Sequence, residues 1–535
     1  MKGKAIMIQG TASHVGKSIL VTALCRIFRQ DGLRVAPFKA QNMSLNSYVT
    51  GDGQEIARAQ AVQAEAAGVP PEAIMNPILL KPGTHSRSQV VVLGRPLGEA
   101  EASQYREHHV PVLAKVVEES IRQLLGRFDL VVIEGAGSPA EVNLRDRDPA
   151  NMYVASLVDA PVLLVADIDR GGMIASVVGT LALLAPYERD RVAGLVVNKF
   201  RGDAGLLQPG LEFLTIHTGK PVLGVLPYVP EPLVDDEDSV SLEERRNGRG
   251  TALAERASVV AVLRLPHIAN FTDFAPLETE PGVVLRYVSA GHPIGPADAV
   301  IIPGSKSTLT DLRWLKEHGY HREVRALLRQ GTPVLGICGG YQMLGLAVAD
   351  PLGVDGPPGE EKGMALLDVC TVFLPAKEAH LVEAEVTSGA GFLEGLVHAR
   401  VRAYEVHMGA TIRLDGAQPW LHISRRGDHP ADISEGAVDS AGLVFGTYLH
   451  DIFRNDCLRQ GFVRWLRRRR GLPPSAPETS GLSGPGTPPG SPAIPAPAPL
   501  TREERYDELA RIVRAHLDMQ FIYHLLGISC PSCVP

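Results

Sequence analysis

The sequence predicts an α/β protein of two domains, the first built on a doubly wound, mainly parallel sheet. Three observations carry that reading. Short apolar runs alternate with stretches of helical period along most of the chain. Two of those runs meet glycine-rich turns of a kind that carries chemistry, Gly10–Ser18 near the start and Gly336–Gly340 in the second half. Polar or Pro/Gly/Ser-rich stretches without periodicity fall between the regular regions. The expected division is a first domain over 1–235, a linker over 236–257, a second domain over 258–470, a disordered linker over 471–500, and a C-terminal helix and tail over 501–535.

The 535 residues leave room for roughly three or four domains of ordinary size. Apolar residues make up 45% and charged residues 21%, the balance of a soluble globular chain. A net charge of −7 argues against nonspecific nucleic-acid binding as the main function. The cysteines (Cys25, Cys338, Cys370, Cys457, Cys530 and Cys533) are scattered, which fits a reducing cytoplasm better than a disulfide framework. The opening MKGKAIMIQG holds too short an apolar run for a signal peptide. No segment approaches the roughly 20 apolar residues of a membrane span.

Ala5–Ile8 reads as a buried strand. Gly10-Thr11-Ala12-Ser13-His14-Val15-Gly16-Lys17-Ser18 follows, then a helical period at Leu20, Ala23, Leu24, Ile27 and Phe28 that Gly32 stops. Strand, glycine loop and helix make a P-loop. Backbone N–H groups of the loop, Gly10, Thr11 and Gly16 among them, are expected to cradle the phosphates of ATP, with Lys17 on the β and γ oxygens and Ser18 on Mg2+. Further strands are expected at Val35–Phe38, Leu130–Ile133, Val162–Ala166, Leu195–Val197 and Pro221–Leu226. An acid at the C-terminal end of a parallel strand faces the ligand crevice, so Glu134 is a candidate Mg2+ ligand, a helix cap being the plainer alternative. Asp167 and Asp169 end the next strand, where they could aid Mg2+, and Arg170 could meet a carboxylate or phosphate. The dense polar stretch Lys39–Ser47 and its continuation Asp52–Gln60 read as a site loop or as an ordinary surface loop.

Five residues rather than four separate Gly10 from Gly16, a variant that resembles dethiobiotin synthetase and its relatives, which carboxylate or activate small molecules with ATP. That resemblance implies Mg2+ binding by Glu55, with Asp52 as a competing candidate, and places Asn198 where those enzymes meet adenine.

In the second half, Val334–Ile337 reads as a strand that stops at Cys338 between glycines, with a helix-like segment behind it. This is the layout of a nucleophile elbow, in which close backbone packing requires the glycines and the N–H groups after the turn hold an oxyanion. A buried, inert cysteine is the bland alternative. The setting Gly-x-Cys-x-Gly resembles the class I glutamine amidotransferases, and it implies a flavodoxin-like α/β domain with Cys338 as the glutaminase nucleophile. The strand Ala299–Ile302 and the turn Pro303–Thr308 resemble their oxyanion loop, putting Gly304, Ser305 and Gly339 near the glutamine carbonyl; a helix-capping turn is the alternative. His450, after the strand that starts at Val444, is the expected base and later the acid for ammonia. Many relatives carry a Glu two residues beyond this His. Here Ile452 stands there, so the orienting carboxylate is either missing or supplied elsewhere. Glu405 and His407, on the strand Ala403–Gly409, could assist or simply pack.

Over about residues 4–465 and 501–526 the chain resembles the cobyric acid synthases, glutamine-hydrolysing enzymes of cobalamin biosynthesis. Gln41–Ser47, Asn76–Pro82, Asp167–Gly172 and Pro266–Asp273 carry that likeness beside the two glycine motifs. It implies ATP and Mg2+ as cofactors, glutamine as ammonia donor, and adenosylcobyrinic acid a,c-diamide as the corrinoid substrate, with neither nucleic acid nor membrane as partner. Cobyrinic acid a,c-diamide synthase is the alternative enzyme. A P-loop switch protein of the chromosome-partitioning type, with an inactive amidotransferase domain, is the alternative of another class; Cys338 and His450 argue against it. Toward the C-terminus, Thr501 and Glu504 form a capping box before a helix with Leu509, Val513 and Leu517 on one side, expected to dock on the second domain. Cys530 and Cys533 are too few ligands for a metal.

Overall fold

Continuous rather than alternating hydrophobicity belongs to strands covered on both faces, and the apolar runs of the N-terminal half become such strands. The computed structural model describes residues 3–83, 87–101, 110–143, 149–229, 233–234, 257–473 and 500–529. Its first unit holds Met1–Ser44, Gln54–Glu237 and Leu500–Pro535, and its second holds Leu45–Gly53 and Asp238–Pro499.

In the first unit the strands are β1 (Lys4–Gly10), β2 (Val35–Phe38), β3 (Leu130–Glu134), β4 (Val162–Asp167), β5 (Val192–Phe200) and β6 (Val222–Pro227). They pair in parallel in the order β6-β5-β4-β1-β3-β2. The order changes direction at β1, the place where such sheets leave a ligand crevice at the strands' C-terminal ends. The P-loop lies there, between β1 and helix α1 (Lys17–Gln30). Leu20, Leu24, Ile27 and Phe28 of α1 are fully buried and pack with Ile6 and Ile8 of β1.

The same cluster contains Tyr506, Leu509, Val513, Ile522 and Tyr523 from the helices Arg502–His516 and Met519–Leu526. Arg26 reaches Asp507 at 2.6 Å and Glu503 at 2.7 Å, and Arg514 pairs with Asp31 at 3.0 Å. The C-terminal helices therefore belong to the nucleotide-loop unit, not to the second domain on which they were expected to dock. An apolar stripe says that a helix is covered; it does not say by what.

In the second unit, β7 (Ser258–Leu263), β8 (Val283–Val288), β9 (Ala299–Ile302), β10 (Val334–Ile337), β11 (Ala417–Gln418), β12 (Ala437–Asp439) and β13 (Val444–Thr447) form a sheet in the order β8-β7-β9-β10-β13-β12-β11. The first five are parallel and the last two antiparallel. Because β10 and β13 are neighbours in register, Ile337 opposite Thr447, the residues just past their C-terminal ends meet. A second, mostly antiparallel sheet is led by the long strands Val369–Val386 and Arg400–Arg413, and Leu449–His450 adds to its edge with His450 opposite Tyr404.

Leu45–Gly53 lies in this second unit, which corrects the unbroken first domain over 1–235. Val49 is buried with Tyr404 and Val406, and Tyr48 packs beside them. Polar density marked the stretch as a loop, whereas these two apolar side chains decide which core it joins. The linkers expected at 236–257 and 471–500 fall, over 236–256 and 474–499, outside the described residues, as do Cys530 and Cys533. Among the described residues no helix is long and apolar enough to cross a membrane.

Candidate functional site

Cys338 sits between β10 and the helix Gly339–Leu344 with φ 51° and ψ −110°, a conformation that costs a side-chain-bearing residue about 1–3 kcal/mol. The surroundings hold it there. Its N–H donates to Thr447 O at 2.8 Å, continuing the β10–β13 ladder. The flanking glycines are a packing requirement: a Cβ on Gly340 would stand 2.0 Å from Ile302 O, and one on Gly336 would stand 2.7 Å from Gly340 O. Gly304 closes the opposite wall. A Cβ there would lie 3.4 Å from His450 Cε1 and 3.8 Å from the Cys338 Cβ, and one on Gly339 would lie 2.9 Å from Ser305 N. Gly304, Ser305 and Gly339 thus cluster beside Cys338 and His450. The Ser305 hydroxyl is turned to Asp311 Oδ2 at 2.7 Å, so the backbone is what Ser305 offers there.

His450 is 1% exposed, and its Nδ1 is 2.7 Å from Oδ2 of the fully buried Asp273. Asp273 Oδ1 accepts from Asp451 N at 3.0 Å, which fixes the carboxylate. Burial alone would push the imidazole pKa down, but Asp273 and a hydrogen bond with Cys338 hold it up at about 10. Asp273 supplies the carboxylate that Ile452 does not; Ile452 is itself core, 1% exposed. Sequence reasoning quoted Pro266–Asp273 without giving Asp273 a role. The available signal was an acid between two aromatics, Phe271 and Phe274, in a turn that is buried throughout. Glu405 and His407 are engaged elsewhere. Arg426 Nε is 2.6 Å from Glu405 Oε1, and His407 stacks on Tyr448 at 3.8 Å between centroids.

In the first unit, Ser18 Oγ donates to Glu134 Oε1 at 2.9 Å across the mouth of the P-loop. Lys39 Nζ meets the same oxygen at 2.8 Å, and Gln63 Nε2 donates to the other at 2.5 Å. Lys17 Nζ donates to the carbonyls of Ala12 and Gly137, at 2.9 and 3.0 Å, and so spans the loop in which phosphate oxygens would take over those bonds. Thr11 N donates to Val165 O at 2.9 Å, tying the loop to β4. Asn198 lies against the loop itself: its Nδ2 donates to Val15 O at 2.8 Å and stands where a Cβ on Gly16 would be, 2.1 Å away. Lys199, for which no role was expected, bridges His14 O and Asp167 Oδ2, both at 2.8 Å. Asp169 pairs with Arg201 at 3.0 Å. Glu55 is buried on Lys81 at 2.6 Å, and Asp52 lies in the second unit, where Thr50 Oγ1 donates to it at 2.5 Å.

Two oxygens converging at a P-loop suit Mg2+, which takes one or two protein ligands and completes its shell with phosphate and water. Ser18 and Glu134 fit that pattern. Glu55, paired with the buried Lys81 as Glu134 is with Lys39, is the other acid of the expected set.

Such a pair of units defines a nucleotide-dependent glutamine amidotransferase. Residues 6–236 match the CobQ/CobB/MinD/ParA nucleotide binding domain, and residues 259–457 match the CobB/CobQ-like glutamine amidotransferase domain. The enzyme class is an ATP-using, glutamine-dependent ligase. Over its whole length the chain is similar to the cobyric acid synthase of Pelotomaculum thermopropionicum, 52% identical over 528 residues, covering 99% of this chain and 97% of that protein. It is 49% identical to those of Desulforamulus reducens over 526 residues (98% of each chain) and Sorangium cellulosum over 539 residues (99% of this chain, 100% of that protein). The chain belongs to the cobyric acid synthase family.

Proposed function

We propose that this chain amidates the b, d, e and g side-chain carboxylates of adenosylcobyrinic acid a,c-diamide in turn, with ATP as activator and glutamine as nitrogen source. The observation that carries the reading is the presence, in one chain, of a Ser18–Glu134 pair at a P-loop and a Cys338–His450–Asp273 constellation at an elbow.

A carboxylate is a poor acyl donor because its leaving group would be oxide. Transfer of the γ-phosphoryl group to it gives an acyl phosphate and ADP, and ammonia then displaces phosphate to leave the amide. Lys17 and the loop amides of Gly10 and Gly16 hold the phosphates, the Thr11 amide being taken by Val165 O; Asn198 backs the loop, and Ser18 with Glu134 would hold Mg2+. Bound there, the metal would supply charge neutralisation for the transferring phosphoryl group.

The ammonia comes from glutamine. The Cys338 sulfur attacks the side-chain amide with its proton already on His450, and Asp273 stabilises that imidazolium. The amides of Gly304, Ser305 and Gly339 receive the oxyanion. His450 then gives its proton to the departing nitrogen, leaving a thioester that water hydrolyses to glutamate and free thiol. A cytoplasmic setting suits an enzyme that draws on both ATP and glutamine.

The test is a mass spectrum of adenosylcobyrinic acid a,c-diamide after incubation with the protein, ATP, Mg2+ and glutamine. Four successive replacements of OH by NH2, absent without ATP, are expected. No change in that corrinoid, with amidation of cobyrinic acid instead, would overturn the substrate assignment.

A further inference from the structure

The chain leaves the first unit after Ser44, runs through Leu45–Gly53 in the second, and re-enters the first at Gln54. Within that excursion both backbone groups of Ser47 are committed to side chains that reach the catalytic imidazole. Ser47 N–H donates to Asn270 Oδ1 at 2.8 Å, and Ser47 C=O accepts from the Tyr404 hydroxyl at 3.0 Å. Asn270 Nδ2 stands 3.3 Å from His450 Nε2 and 3.4 Å from Nδ1, a near-equal pair of distances that puts it over the face of the ring. The Tyr404 ring stacks on the same imidazole, 5.1 Å between centroids and 20° between planes. Two further bonds seat the segment on the turn that carries Asp273: Asn270 N–H to Leu45 O and Thr272 Oγ1 to Asn46 Oδ1, each 3.3 Å.

We propose that Asn270 and Tyr404 are positioning residues for His450 and that the Ser47 backbone sets both, so that glutamine hydrolysis requires the Leu45–Gly53 segment to be seated. The proposal rests on the reading of His450 as the base. Its physical ground is that one hydrogen bond, Nδ1 to Asp273, fixes a point on the ring but leaves the ring free to pivot about that bond. Facing the sulfur and later giving a proton to the departing nitrogen needs Nε2 aimed within a narrow cone. Contacts out of the ring plane remove the pivot, and both go back to one residue of a segment whose chain neighbours, Ser44 and Gln54, belong to the nucleotide-binding unit.

The test uses the full-length chain. Tyr404→Phe keeps the ring and removes only the hydroxyl bond to Ser47. Asn270→Gly removes the side chain at a residue with φ 51°, a conformation glycine adopts without strain. Glutaminase kcat and the KM for glutamine are measured in each, beside His450→Ala. The expected kcat loss is about three- to tenfold for Tyr404→Phe and about ten- to a hundredfold for Asn270→Gly, with KM within about twofold of wild type. If His450→Ala hydrolyses glutamine normally, the base assignment is what fails. If His450→Ala is inactive while both other variants keep wild-type kcat, or lose kcat and KM together, the positioning role is overturned.

Discussion

His450 is held protonated to about pH 10 by Asp273 and Cys338 against a burial that works the other way. Its proton is the one the departing ammonia needs, so glutaminase activity should persist into alkaline solution and fall as the pH rises through that value. Asp273→Asn removes the charge that raises the imidazole. The alkaline limb of the kcat/KM profile for glutamine should then move to lower pH, with a loss of at least about tenfold at neutral pH; an unmoved limb would remove Asp273 from the constellation. Cys338→Ser should abolish glutamine-supported synthesis and leave ammonia-supported synthesis intact, measured as amide formed from ammonium salt and ATP. Cys338 and the P-loop residues were legible in the sequence because their partners are contiguous with them. Asp273 was not, since 177 positions separate it from His450 and only the folded chain joins them.

The elements owe their precision to glycines at two places where backbones nearly touch. Gly340→Ala would drive a methyl group to 2.0 Å from Ile302 O, between β9 and the elbow helix. The expected cost is about 1–3 kcal/mol of stability, read from urea unfolding of the variant. Gly16→Ala combines φ 96° with a clash against the Asn198 amide, and it should weaken ATP binding at least about tenfold in calorimetric titration while sparing glutaminase. Strand positions followed from apolar runs, and β2, β9 and β10 lie where the runs end. The excursion Leu45–Gly53 was hidden by its polarity, because two apolar side chains, Tyr48 and Val49, are too few to form a pattern.

At the scale of the molecule, the first unit is assembled from three separated pieces of chain, and its core is shared with the C-terminal helices. Leu509 is 1% exposed in that shared core. Leu509→Ala should destabilise the nucleotide-binding unit by about 2–5 kcal/mol, seen as loss of ATP binding at lower urea concentration, with the glutaminase midpoint unchanged. A helical stripe at Leu509, Val513 and Leu517 announced a buried face. The partner was unreadable, since an apolar stripe carries no address and the pairs that supply one, such as Arg26 with Asp507, lie 481 positions apart.

That separation has a consequence during synthesis. At roughly 5–20 residues per second a ribosome needs about 25 to 100 s to travel from Arg26 to Asp507. Throughout that interval the buried face of α1 has no lid, while the whole amidotransferase unit is made and can close. The first part of the protein to emerge is thus among the last to finish. Its greasy helix is the surface on which a chaperone would be expected to wait.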